Sequence, residues 1–430
     1  MNATLVLVLV VIFSFAIGHL LTRYASRFVT LSGAEYILVG VLIGPHFPWK
    51  LLSAATVDRL APLFSLLLGL VGFVLGLRGK REARRIDEGV AGFSSALLTL
   101  IAVSGAVLTA LTLMFPADAA QADFVYNAVL LRTHGYLVEV HVASTHLWVA
   151  LGVGAAAAVA SPLLIESTRR LSAAGGRVSD LLEASARASQ ITAVLVSGVV
   201  LASARATDAA SRYSMTVTEW VIASVAVGVV SGLLFGLFIG RESEPAKIFL
   251  ATIGLVTFAS GVGAALGISP LFVCLMAAVT VSLTSSHCAK VQGELDRLQH
   301  PLFVLVMIFA GTLWDPVRGW AWLFPALYVL VRFVGRRMAT WLAVKLFLED
   351  KLVTRRVGNG LLSQGTLAVA IGVNFAQRFP SFSSLILTTV LVGTLLSDLF
   401  SARALRALLA DAGELGQEAP KVEESSEAPA

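Results

Sequence analysis

Two apolar stretches interrupted at matching positions decide the architecture of this chain. The first, HLWVALGVGAAAAVASPLLI at residues 146–165, is broken by Ser161-Pro162, and the second, VGNGLLSQGTLAVAIGVNFA at residues 357–376, is broken from Ser363 onward. Each has about 20 residues, the length that a helix needs to cross a bilayer. Paired breaks in two spans point to a transport site, because unwound backbone exposes carbonyl groups and helix ends to a solute. A kink that serves packing alone is the alternative for either break.

The composition of the whole chain is that of a polytopic membrane protein. Of its 430 residues, 57% are hydrophobic and 14% are charged, and the mean hydropathy is +0.83. Soluble domains are about 45–50% apolar and about 25% charged. A soluble nucleic-acid binder, a disordered protein and a disulfide scaffold are therefore excluded. The net charge of +5 is not a sign of nucleic acid, because basic residues of membrane proteins follow the cytoplasmic loops.

Apolar segments of spanning length recur from residue 3 to residue 403. Most of the 32 Lys and Arg residues fall in alternate loops, which are cytoplasmic if the N-terminus is outside. Because cytoplasmic loops collect basic residues, this distribution predicts an N-out, C-in topology with an odd number of spans. Thirteen transmembrane helices are predicted, at residues 3–22, 30–45, 57–77, 89–115, 146–165, 180–204, 215–240, 247–267, 268–286, 301–314, 319–346, 357–376 and 381–403.

One membrane domain, residues 1–406, therefore makes up nearly the whole chain. Residues 124–142 hold two β-prone runs around a Gly-containing turn and predict a hairpin insertion on the outer side. Residues 407–430 are acidic, with Pro and Ser, and predict a disordered cytoplasmic tail. Four residues in or just after the hairpin, His134, Glu139, His141 and His146, are predicted to be polar surface residues. No metal site is predicted there, because their spacing matches no closed zinc site.

Five segments carry motifs that belong together in one order. The second span, SGAEYILVGVLIGPHFP, contains Gly40, Leu42, Gly44 and Pro45 in a Gly-x-Leu-x-Gly-Pro pattern. The other four segments lie at residues 66–77, 266–282, 295–315 and 361–372. In this order and spacing they resemble the third, ninth, tenth and twelfth helices of the cation/proton antiporter superfamily, the sodium/proton and potassium-efflux exchangers. The resemblance covers nearly the whole membrane part.

The resemblance implies an all-α polytopic membrane protein with an inverted-repeat antiporter fold, in which the discontinuous helices of spans five and twelve cross. It also implies a panel domain for dimerisation beside a mobile core domain. In the family, the sixth span carries an acidic pair whose second member binds a cation and protons in turn. Here the pair falls on Ser189-Gln190, and a Gln side chain has no titrating proton near neutral pH. Neutral oxygens would then line the substrate path, from Ser161, Ser189, Gln190 and Gln364.

Three residues are candidate charge carriers in place of the missing acid: Glu183, Arg187 and Arg332. Glu183, Arg187 and Gln190 share one face of the sixth span, because they are spaced i, i+4, i+7. Two roles stay open for Glu183. It forms an interfacial ion pair with Arg187 that fixes the helix, or it titrates in place of the missing carboxylate.

The other ionisable residues of the last spans are predicted to have structural roles. Arg332 lies deepest in its span and is predicted to pair with a helix C-terminus in the core. Arg336 and Arg337 are predicted to extend to the membrane interface. Asp398 is predicted to belong to a solvated helix end near the inner boundary.

The sequence thus predicts a secondary active transporter in the cell (plasma or inner) membrane. It would move a monovalent cation, Na⁺ or K⁺, against H⁺ by alternating access, as a homodimer in the lipid bilayer, with no cofactor and no nucleic acid. The alternative is an antiporter-fold membrane protein without coupled transport, with a structural, sensory or partner-binding role. No enzyme is predicted, because H-E-x-x-H, G-x-S-x-G and a pair of intramembrane aspartates are missing from the sequence.

Overall fold

The computed structural model describes most of the chain, and the first predicted span, residues 3–22, lies outside the described part. Residues 417–430 of the predicted tail also lie outside it. The described residues are 35–47, 52–78, 86–115, 124–128, 138–207, 215–239, 244–284, 288–348 and 356–416.

The described part is mainly helical. Three short 3₁₀ helices, Gly319–Trp322, Val357–Leu361 and Pro380–Phe382, precede α12, α13 and α14. The α-helices are α1 (Glu35–Ile43), α2 (Ala54–Arg59), α3 (Ala61–Arg78), α4 (Ile86–Met114), α5 (Ser144–Ala158), α6 (Pro162–Leu171), α7 (Arg177–Ala206), α8 (Val217–Ile239), α9 (Pro245–Leu266), α10 (Pro270–Thr284), α11 (Cys288–Leu313), α12 (Leu323–Phe347), α13 (Gly365–Arg378) and α14 (Ser383–Asp411).

Seven helical segments of the described residues are long and apolar enough to cross a membrane, so the chain is an integral membrane protein. Helix α10 and the second half of α11 are apolar but shorter. The count of thirteen spans stays a prediction. The seven segments are Ala61–Arg78, Asp87–Met114, Ser144–Leu171, Arg177–Ala206, Val217–Leu237, Ala246–Leu266 and Pro380–Asp411.

The helices pack as two groups. In the first group, α10 packs against α3, α8 and α9, and α11 packs against α1 and α3. In the second group, α4 packs against α5, α7 and α12, and α13 packs against α5 and α14. Glycines allow the closest contacts of the first group, because a Cβ atom on Gly72 would lie 2.0 Å from Leu271 O, and one on Gly40 would lie 1.9 Å from Ile308 O. Small residues let helix backbones approach in this way.

A pair of short strands lies between α4 and α5. Strand β1 (Phe124–Ala128) pairs with β2 (Val138–Val142) in antiparallel fashion, and Phe124 stands opposite Val142. These strands fall within the segment for which a hairpin is predicted. On which side of the membrane they lie stays a prediction.

The apolar part of α11, Leu298–Leu313, agrees with the predicted tenth span at residues 301–314. A polar helical part that begins at Cys288 precedes it, and Pro301 lies inside the helix. One predicted boundary was wrong. Helix α14 continues to Asp411, so the predicted tail does not begin at residue 407. Beyond this helix, Glu414 is buried against the start of α7.

Candidate functional site

The two helices with predicted interruptions are broken and meet at their breaks. Residues 159–161 separate α5 from α6, and residues 362–364 precede α13. A residue before proline avoids the α conformation, and Ser161 is extended, with φ −92° and ψ 110°. Gly365 opens α13 with a φ of +66°, which glycine adopts without strain. The segments join where the N–H of Ser161 donates to the carbonyl of Ser363 over 3.0 Å; together they form the crossing.

Arg332 of α12 is fully buried and binds the carbonyl groups of the crossing. This is the pairing with a helix C-terminus that the sequence predicts. The end of α5 carries a partial negative charge, which a guanidinium stabilises. The side chain donates from Nε to Ala157 O over 3.0 Å, from Nη2 to Val159 O over 3.0 Å, and from Nη1 to Leu362 O over 2.7 Å and Ser397 Oγ over 3.1 Å.

Asp398 of α14 lies at the crossing and is only 3% exposed, so its predicted place at a solvated helix end was wrong. The prediction ended the last span too early, and Asp398 lies near the middle of α14. Its Oδ1 accepts hydrogen bonds from Ser363 Oγ at 2.8 Å and from the N–H of Gln364 at 3.0 Å. The backbone of Gly365 also interacts with the carboxylate. An anion is favourable there, because the N-terminus of α13 carries a partial positive charge. The second oxygen, Oδ2, has no hydrogen-bond partner.

Gln364 is fully buried in the crossing and is held by its amide nitrogen. Nε2 donates to the carbonyl of Ala156 over 3.1 Å and to Tyr328 Oη over 2.5 Å. Because a backbone carbonyl can only accept, these contacts fix which end of the amide is nitrogen. The amide oxygen, Oε1, has no hydrogen-bond partner.

The position of the family's acidic pair lies on α7. Ser189 is fully buried at the crossing, where its Oγ accepts from the N–H of Ala160 at 3.2 Å and donates to Ala186 O over 2.7 Å. Gln190 follows Ser189 in α7, and successive residues of a helix point about 100° apart. Its side chain therefore faces away from that of Ser189 and is half-buried. The structure thus brings Ser161, Ser189 and Gln364 together and leaves Gln190 beside them.

No protein-family model matches this sequence, and no curated protein sequence matches it. Solved structures do. The sodium proton antiporter MjNhaP1 from Methanocaldococcus jannaschii, in its structure at pH 8, superposes with a TM-score of 0.65 at 15% identity, over 97% of this chain and 100% of that one. An electron-microscopy map of the same antiporter gives a TM-score of 0.62 at 15% identity, over 96% and 98% of the two chains.

The chain has a cation/proton antiporter fold. At 15% identity the likeness shows the fold alone, and it covers nearly the whole chain. The fold that the sequence motifs imply is thereby confirmed. The inverted repeat that the resemblance implies stays a prediction.

Within the antiporter fold, Glu183 is engaged by two arginines away from the crossing. It forms an ion pair with Arg187, as the i, i+4 spacing indicates, and a second one with Arg169 Nη1 at 2.7 Å. Arg169 also pairs with Asp180 at 3.2 Å. This network joins α6 to α7. Ser189 lies six residues further along α7, about 9 Å by helical rise.

Arg336 is fully buried, so its predicted place at the membrane interface was wrong, whereas Arg337 is exposed. Arg336 Nη1 donates to the carbonyl of Ala158 over 3.0 Å, beside the carbonyls that Arg332 binds. Tyr328, Arg332 and Arg336 recur every four residues, which places them on one face of α12. That spacing was visible in the sequence and could have identified Tyr328 and Arg336 as members of the site. No comparable signal marked Asp398.

The histidine at the start of α5 is also buried. His146 is 5% exposed and packs its ring against Phe382, at 5.6 Å between centroids. The sequence had placed it among surface residues after the hairpin. In the described ranges, no group of three His, Cys, Asp or Glu side chains is arranged to hold a metal ion.

A cavity of about 1110 Å³ lies between the two helix groups. Its walls come from the starts of α3 and α14 and the ends of α9 and α13, all on the side predicted to be outer. Asn374 of α13 lines it, about 13 Å along this helix from the crossing. Thr257, Ser260 and Arg378 add further polar groups. The residues that meet at the crossing do not line this cavity.

Proposed function

We propose that this protein is a secondary active transporter of the cation/proton antiporter type, which exchanges Na⁺ or K⁺ for H⁺ by alternating access. The observation that carries the proposal is the crossing of two interrupted helices, where the buried amide oxygen of Gln364 has no protein partner. Alkali cations, like other hard cations, accept such oxygen ligands. The fold shared with a sodium proton antiporter supports the same activity.

The substrate path in this proposal is lined by Ser161, Ser189, Gln190 and Gln364. Ser161, Ser189 and Gln364 meet at the crossing. Glu183, Arg187 and Arg332 are the candidate charge carriers from the sequence. Glu183 and Arg187 neutralise each other, and Arg332 is bound to carbonyl groups.

Several properties of the assembly belong to the same proposal. They are thirteen spans in an inverted repeat, an N-out, C-in orientation, location in the cell membrane and a homodimer formed through the first helix group. The dimer is tested by measuring the mass of the detergent-solubilised protein. Deletion of residues 124–142 then asks whether the strand pair contributes to it.

Reconstitution into liposomes tests the transport activity. Pulses of NaCl, KCl or LiCl between pH 6 and 9 should move protons, read with a pH-sensitive dye inside the vesicles. Gln364→Leu should abolish the signal, because it removes the oxygen at the crossing. Gln292→Leu is the matched control, since Gln292 lies in the first turns of α11, outside the crossing, and it should behave as wild type.

The alternative is an antiporter-fold protein without coupled transport, which has a structural, sensory or partner-binding role. The Ser189-Gln190 pair favours it, because no carboxylate stands where the family keeps one. If none of the three salts moves protons or enters the vesicles, the transport proposal fails and the alternative stands.

A further inference from the structure

We propose that Asp398 of α14 is the anionic ligand of the transported cation and that Gln364 completes its site. The proposal rests on the exchange activity proposed above and names the residue that carries it. It moves the exchangeable carboxylate from the sixth span to the last. The buried acidic residues of the described chain narrow the choice. They are Asp398 and Glu414, and Glu414 is fully engaged at the start of α7.

The two oxygens of Asp398 have different surroundings. Oδ1 is held by Ser363 Oγ and the N–H of Gln364, which fixes the position of the carboxylate in the crossing. Oδ2 is buried and unpartnered. A carboxylate oxygen buried without a partner is costly unless water or a cation reaches it. Oδ1 therefore anchors the carboxylate, and Oδ2 is available to a ligand.

A second available oxygen belongs to the residue bonded to Asp398. Gln364 donates its backbone N–H to Asp398 Oδ1, while its side-chain Oε1 is buried and unpartnered. The orientation of the amide is fixed by the bond from Nε2 to Ala156 O. Two neighbouring residues thus each keep a free oxygen, and carboxylate and amide oxygens are the ligands that hard cations prefer.

The arginine nearest to this site does not occupy the carboxylate. The hydrogen bonds of Arg332 go to three carbonyls and to Ser397 Oγ, and none goes to Asp398. Its charge compensates the negative end of α5, and it also attracts the Asp398 carboxylate electrostatically. Arg336 donates from Nη1 to Ala158 O, and its Nε and Nη2 have no hydrogen-bond partner among the described residues. The guanidinium groups thus serve the helix ends, and Asp398 Oδ2 stays open.

The remaining elements packed against α14 bring few ionisable groups. Tyr328 of α12 reaches Gln364. The only ionisable residue of α5 is His146 in its first turn, and that of α13 is Arg378 at its end, both far along their helices from the crossing. The charged residues of α6 form ion pairs with each other or with α7: Glu166 with Arg170, and Arg169 with Asp180 and Glu183.

The exchange step balances in charge. A cation that arrives from the aqueous side binds the ionised Asp398 and the amide oxygen of Gln364. A proton that binds Oδ2 forms an O–H bond, cancels the negative charge and releases the cation to water. One carboxylate carries one charge, so one proton is exchanged for one monovalent cation, and no net charge crosses the membrane.

Asp398→Asn tests the site in the full-length protein in proteoliposomes with Na⁺ as the probe. The asparagine oxygen can still accept from Ser363 and Gln364, so the crossing keeps its anchor, but the amide cannot bind and release a proton. We expect sodium-driven proton movement to fall to the level of protein-free vesicles, and Asp398→Glu to restore part of it. Asp411→Asn, the matched control on the same helix, should keep wild-type exchange, because Asp411 is half-exposed and pairs with Arg356 away from the crossing. Exchange by Asp398→Asn at the wild-type rate would overturn the proposal.

Wild-type protein provides a second test that does not depend on the folding of a variant. With the membrane potential clamped by K⁺ and valinomycin at zero or at about −100 mV, a one-for-one exchange should keep the same initial rate. A rate that changes severalfold with potential would overturn the proposal, because −100 mV is worth about 2.3 kcal/mol per charge moved. Absence of exchange in wild type would instead refute the transport function itself, so the two failures are distinguishable.

Discussion

Glu414 connects the end of α14 to the start of α7, and its removal is predicted to destabilise the second helix group. Its carboxylate accepts from the N–H of Val178 at 2.6 Å and from that of Ser179 at 3.0 Å, and the Ser179 hydroxyl also donates to it. Both amides lie in the first turn of α7. N–H groups there have no partner within the helix, and the helix dipole favours an anion.

The magnitude follows from these three contacts. Glu414 is 7% exposed, so solvent screens them little. A hydrogen bond to a charged group contributes about 1.5–3 kcal/mol, and a helix N-cap contributes about 0.5–2 kcal/mol. Because the contacts form one unit and are not additive, Glu414→Ala should lower the free energy of unfolding by about 3 kcal/mol. Glu414→Gln keeps an acceptor but loses the charge and should cost about 1 kcal/mol.

Thermal unfolding of the purified protein in detergent, followed by tryptophan fluorescence, measures this effect. The melting temperature should fall in the order wild type, Glu414→Gln, Glu414→Ala. Glu166→Ala is the matched control, because its ion pair with Arg170 is largely exposed and such pairs contribute about 0–1 kcal/mol. Identical melting temperatures for wild type and Glu414→Ala would refute the capping role.

A substitution on the opposite side of the contact checks the reasoning. A Cβ atom on Gly176 would lie 2.4 Å from the carboxyl carbon of Glu414. Gly176→Ala should therefore displace the carboxylate and destabilise the protein. In a double variant, the effects of Gly176→Ala and Glu414→Ala should be less than additive, because Glu414→Ala already removes the carboxylate that the new Cβ atom would displace. Full additivity would show that the two residues act separately.

Three further predictions concern the core, the helix contacts and the topology. Arg332→Met should lower the melting temperature strongly, because it leaves buried carbonyls without a donor, and Arg332→Lys should recover only part of it, because lysine lacks the fork of donors. Gly72→Ala should cost about 1–3 kcal/mol, since its Cβ would meet the Leu271 backbone, whereas Gly105→Ala, with open space around it, should be nearly neutral. A fluorescent reporter fused to the C-terminus should be active in the cytoplasm, and an outer location would overturn the orientation inferred from the basic residues.

The interruptions could be predicted from the sequence because their causes are local. Ser161 precedes a proline, and Gly365 takes a left-handed backbone conformation that other residues avoid. Both effects act within one or two residues and are the same in any fold. For the same reason, the ion pair between Glu183 and Arg187 follows from helical spacing alone.

The placement of Asp398 and Arg336 could not be predicted in this way. Whether a charged residue on an apolar helix faces lipid, solvent or another helix depends on partners far away in sequence. Asp398 meets Ser363 and Gln364, and Arg336 meets Ala158. A charge inside the membrane is unfavourable unless such distant partners are present. A prediction from hydropathy alone does not include these partners, so it assigns the charged residues to helix ends.

The charges at the crossing explain how the exchange proposed here could proceed without an acidic pair on α7. Arg332 and Arg336 compensate the negative end of α5, and Asp398 compensates the positive start of α13. The broken helices therefore do not need a charged residue at Ser189 or Gln190. Because changing the net charge of a buried site is costly, a site that carries one proton or one Na⁺ in turn keeps the same charge in both loaded states. A single carboxylate at Asp398 meets that condition in the proposed exchange, without a second acid on α7.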